Sequence, residues 1–118
     1  MDINECSFSV LLKLYMSEYS KVTGKKYSQG LIAECINVSR KDFCISINKD
    51  IEEMSSRVLY GLYGYISIFM NLHNYENVNG ITFLSKAYTR ILQDIEFELK
   101  HRQSNREFVN SHMPPKQR

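Results

Sequence analysis

"YSQGLIAECINVSRKDF" (Tyr27–Phe43) holds two short runs of helix-forming residues on either side of Asn37, and how it folds decides what kind of protein this is. Ser28 stands where a helix N-cap belongs, and the residues after it predict a short helix to Ile36. Asn37 then takes the turn, because asparagine tolerates positive φ better than most residues. Ser39, with Asp42 three residues later, has the form of a capping box with Asp in place of Glu, and predicts a second helix. Against that, Phe43, Ile45 and Ile47 alternate with smaller or polar residues in "FCISIN", as in a half-buried strand. Both forms are open for Phe43–Asn48; helix is preferred, since a lone strand needs a partner that no other stretch offers.

Upstream, Phe8, Leu11, Leu12, Tyr15, Tyr19 and Val22 recur at three- and four-residue steps and predict a helix over Phe8–Val22. Gly24 stops it in a left-handed cap, followed by Lys25 and Lys26. Downstream, Asp50 and Glu53 repeat the N-cap pattern and predict a long helix to about Leu72. Its apolar stripe is Met54, Val58, Leu62, Ile66 and Phe69, widened by Leu59, Tyr63 and Met70, which marks a central helix of a bundle. Gly61 and Gly64 lower its helix propensity, and close approach of a neighbouring backbone is the expected compensation. Asn74–Gly80 reads as a loop and Thr82–His101 as a last helix with Leu84, Tyr88, Ile91, Ile95 and Leu99 inward. The expected fold is all-α: a compact bundle of four to five helices in one domain (1–102), with a flexible basic tail over 103–118.

The chain has 118 residues, 43% of them hydrophobic and 24% charged, which suits one soluble domain with a modest core. Three cysteines without short spacing, and an N-terminus that is acidic where a secretory leader is basic, point to reduced thiols in a cytoplasm. The longest uncharged run, Val58–Leu72, is shorter than the roughly 20 residues a bilayer needs and holds two glycines, so no membrane partner is expected. Net charge is only +2, but it is segregated: residues 20–49 carry a net +4, residues 50–99 a net −4, and residues 100–118 a net +4. Such blocks give an electrostatic partner a preferred side.

A helix-turn-helix that reads DNA needs a small residue in its first helix, a residue of positive φ in the turn, and apolar anchors in both helices. Ala33, Asn37 and the set Ile32, Ile36, Val38 and Phe43 supply these. The run "SQGLIAECINVSRKDF" resembles the lambda-repressor-like (Xre-type) helix-turn-helix family, and "LLKLYMSEYSKVTGKKYSQ" resembles that family's first helix and its entry to the motif; the resemblance ends near Asp50. It implies a helix-turn-helix over residues 28–49 and a double-stranded DNA partner. By that resemblance Gln29 holds a phosphate, while Ser39, Arg40 and Lys41 start the recognition helix and reach phosphates and base edges. Lys25, Lys26, Asn48 and Lys49 would add backbone contacts. The sequence departs from the family where Ile45 and Cys44 face the DNA and where Ser46 replaces a buried aliphatic residue.

Little else suggests chemistry. His73, His101 and His112 have no metal-ligand spacing, Cys35 and Cys44 read as buried structural thiols, and Asp94, Glu96 and Glu98 are scattered round a helix with Glu98 in reach of Arg102. No catalytic residue, metal or cofactor is expected. "YGLYGY" (Tyr60–Tyr65) either lines the core with its hydroxyls at the rim or forms a partner or homodimer surface of Tyr60, Tyr63, Tyr65 and Phe69. The leading function is a small DNA-binding transcriptional regulator. The alternative is a non-enzymatic protein-binding antagonist, immunity protein or adaptor of a phage or mobile element, with a secretion-type chaperone third.

Overall fold

Four serines start four helices. Ser7, Ser28, Ser39 and Ser55 each hold an extended backbone, and each hydroxyl accepts the backbone N–H three residues on, from Val10, Leu31, Asp42 and Val58 respectively. The helices they open are α1 (Phe8–Thr23), α2 (Gln29–Cys35), α3 (Arg40–Ser46) and α4 (Ser56–Phe69), and α5 (Ile81–His112) follows. The computed structural model describes residues 3–25, 28–72 and 81–112, the last of these with side chains to residue 105. Among the described residues there are five α-helices, two 3-10 turns (Ile3–Glu5 and Ile51–Glu53) and no strand, so the all-α bundle is the fold.

Both α1 and α4 lie along α5. Leu11, Leu12 and Tyr15 from α1, Leu59 and Leu62 from α4, and Leu84, Ile91 and Ile95 from α5 are fully buried between them. Burying aliphatic and aromatic side chains in this way is the main favourable contribution to the fold, at about 1.5–3 kcal/mol each. Two tyrosines of α1 also close the end of α4. The Tyr15 hydroxyl donates to the Met70 carbonyl (2.7 Å), and the Tyr19 hydroxyl lies 3.4 and 3.3 Å from those of Phe69 and Asn71. Carbonyls that a helix end leaves without partners are thereby satisfied inside the core. Gly24 ends α1 with φ 73°, as expected, and its N–H donates to the Ser20 carbonyl.

Three expected boundaries differ. Asp50 caps only the 3-10 turn: Glu53 N–H donates to its carbonyl, Met54 returns to extended backbone, and Ser55 is the cap that α4 uses. α4 also stops at Phe69, short of the expected Leu72. α5 runs past the expected His101 to His112. Its added turns contain Arg106 and Glu107, good helix formers, and no Gly or Pro, so backbone bonding continues where apolar periodicity has ceased. The helical part of the expected tail is therefore residues 103–112, and residues 113–118 lie outside the described residues, as do Asn74–Gly80 and His73.

Two arginines fasten α5 to the rest. Arg102 pairs with Glu98 (2.9 Å) and donates to Ser56 Oγ (3.0 Å) and to the carbonyls of Ile51 (3.1 Å) and Glu52 (3.2 Å). Arg90 pairs with Asp94 and donates to the Ile3 carbonyl, each at 3.0 Å. Among the described residues no helix is long and apolar enough to cross a membrane.

Candidate nucleic-acid interface

Asn37 has φ 60°, the one positive value among the described non-glycine residues. It sits between α2 and α3 in a turn closed by Val38 N–H donating to the Ala33 carbonyl (2.9 Å). From α4, Arg57 Nη2 donates to the Asn37 carbonyl at 2.7 Å, so the unusual backbone conformation is held from outside the turn. Ile32, Ala33 and Phe43 are buried, and Ile36 and Val38 pack partly buried against the same core. Phe43–Asn48 is helix and its closing turn rather than strand: Phe43 and Ile47, four residues apart, point inward, while Ile45 points out. Ser46, beside Ile47, is half-buried.

Side chains knit α2 to α3. The Cys44 thiol donates to Gln29 Oε1 (2.9 Å), and the stem of Arg40 lies over Gly30, its Cδ 3.4 Å from where a Cβ would stand. Gln29 therefore has its carbonyl engaged and only its amide NH2 left for a phosphate. Ile36 meets α4 so closely that a Cβ on Gly61 would lie 2.8 Å from its own. This is the close approach expected at Gly61, made by a side chain, whereas Gly64 faces open space. α1 holds the far end: Ser9 Oγ donates to the Ile47 carbonyl and Lys13 Nζ to Asn48 Oδ1. Asn48 also donates to the Cys44 carbonyl (2.7 Å), so both ends of its amide are engaged within the protein.

Arg40, Lys41 and Lys49 are exposed and make no ion pair among the described residues, in contrast to Lys21, Arg90 and Arg102. Ser39 and Lys25 are exposed as well; Lys26 lies outside the described residues. A cleft of about 360 Å³ runs between the turn, the outer side of α3 and the start of α4, lined by Asn37, Ser39, Asp42, Ile45, Lys49 and Arg57 among others. Arg57 and Lys13, cations that flank this region, were not selected from the sequence. Both follow from their fold neighbours, Asn37 and Asn48, which are distant in the chain.

The four residues expected at a partner surface do not share one face. Tyr65 is 6% exposed and belongs to the core, because its position on α4 aligns it with Leu62 and Ile66. Tyr63 is half-buried and donates to Glu96 Oε1 on α5 (2.6 Å); that bond first, with burial and the carboxylate's charge behind it, raises the phenol's pKa above its ordinary value. Tyr60 and Phe69 are exposed at 64% and 58%. Ile68, at 65%, joins Tyr60 on the outer face at an eight-residue step with Gly64 between them. The signal was present as four-residue spacing opposite the core stripe.

Cys35 is exposed rather than buried, Cys44 is half-buried, Cys6 is buried, and none of the three forms a disulfide. Asp94, Glu96 and Glu98 are each bonded to a partner, Arg90, Tyr63 and Arg102 respectively. Among the described residues no group of three or more His, Cys, Asp or Glu side chains is placed to hold a metal ion. No protein-family model, curated protein or solved structure matches the chain.

Proposed function

We propose that the chain binds double-stranded DNA through α2, the Asn37 turn and α3, as a small regulator of helix-turn-helix type. The supporting observation is the turn itself: a positive-φ Asn37, braced by Arg57, joins two short helices, and Arg40 and Lys41 on α3 with Lys49 just after it are exposed cations that make no ion pair among the described residues. Phosphates would neutralise these cations, so affinity should fall steeply with salt. Fluorescence anisotropy with a mixed-sequence duplex tests it. Binding is expected at low salt, and Arg40→Ala/Lys41→Ala should weaken it while the fold survives, because both positions are exposed. In a plot of log affinity against log salt, the slope should become shallower by about 0.9 for each lost phosphate contact. Unchanged binding in the double variant would remove the assignment.

A second proposal, protein contact without DNA, draws on the outer face of α4, where Tyr60 and Ile68 are left in water. Use of that face is itself compatible with DNA binding if it joins two copies of the chain, each α3 then addressing its own half-site.

A further inference from the structure

We infer that Ile45 selects the DNA sequence by packing on the C5-methyl of a thymine in the major groove; the inference rests on the DNA-binding function proposed above. Ile45 is 48% exposed on the outer side of the last turn of α3. Phe43 and Ile47 on either side of it are fully buried, and a rotation of α3 that hid Ile45 would expose them, so the helix is fixed with Ile45 outward. An isoleucine left in water carries a hydrophobic cost that contact with an apolar ligand group removes.

Its surroundings identify that ligand. Lys41 precedes Ile45 by one helical turn, and Lys49 follows in the turn that closes α3, where its N–H donates to the Ser46 carbonyl (3.0 Å). Lys49 and Arg57 line the same cleft as Ile45. Among the described residues the other exposed large apolar side chains all lie on other helices. A protein interface wants apolar neighbours at its centre and few charges there. Val38 and Val58 line the cleft too, but they are partly or fully buried against the core. An exposed aliphatic group flanked by Lys41 and Lys49 fits instead a duplex, in which phosphates flank a groove floor whose apolar feature is the thymine methyl.

The test uses the full chain. Duplexes that bind at near-physiological salt are selected from a random pool, and each thymine of the enriched site is then replaced by deoxyuridine, which lacks the methyl but keeps the pairing edge. One such replacement should weaken wild-type binding by about fourfold, the size of one buried methyl. The same replacement should have no effect on Ile45→Ala, whose own affinity for the thymine site should already be reduced to a similar extent. An enriched site with no methyl dependence, or with equal losses in both proteins, overturns the role of Ile45 and leaves DNA binding intact. A pool that yields no enriched duplex and no salt-sensitive binding overturns both. The deoxyuridine series on the wild-type protein needs no variant to fold.

Discussion

At Asn37 one backbone angle carries the geometry of the candidate interface. With φ at 60°, a side chain with a Cβ costs about 1–2 kcal/mol unless it is one of the few that tolerate the left-handed region. Asn37→Ala should therefore lower stability by about that amount in urea melts, while Asn37→Gly should match or slightly exceed the wild type. Tyr63 offers a second single-residue test. Its neutral hydroxyl donates to the Glu96 carboxylate, and its pKa in the folded protein is raised. The folded state thus keeps a proton that the unfolded state releases near pH 10, and the contribution of this bond, present below that pH, is lost as pH rises further. In an ultraviolet titration Glu96→Gln should bring the Tyr63 phenol back toward its ordinary value, with little effect on stability at neutral pH.

Among the helices, α4 shows what sequence can and cannot reveal. Its two glycines look alike in "YGLYGY", yet Gly61 faces Ile36 at a distance no Cβ tolerates and Gly64 faces open space. Gly61→Ala should cost about 1–3 kcal/mol by overpacking in spite of its better helix propensity. Gly64→Ala should be neutral or stabilising by up to about 1 kcal/mol, and thermal melts of the pair decide it. Serine caps at Ser28 and Ser39, the Gly24 stop and the Glu98–Arg102 pair were all legible, because each is a bond between residues a few positions apart. The start of α4 was not, since Asp50 and Ser55 offer competing caps and burial of Met54 between them decides the outcome. Nor was the end of α5, where helix persists without an apolar face to announce it. Of the candidate site, local pattern showed the turn and the cations of α3. The bracing by Arg57, Lys13 and Ser9 depends on contacts between distant segments, which no local spacing encodes.

For the whole molecule, the open question is how many copies act together. Tyr60→Ser/Ile68→Ser removes the exposed apolar pair on α4 without touching the core. If that face joins two copies, sedimentation velocity should show wild-type dimers and monomers of the variant, with unchanged helicity. A monomeric wild type would leave the face without a self-partner. The order of packing has a separate result during synthesis. α1 is sealed by α5, the last of the described helices in chain order, and Arg90 on α5 reaches back to Ile3. Until α5 has been made, Leu11, Leu12 and Tyr15 lack the α5 side of their packing, and long-range closure of this kind delays folding. A nascent chain stalled before α5 leaves one side of α1 open to water, so the bundle closes only once Leu84, Ile91 and Ile95 are in place.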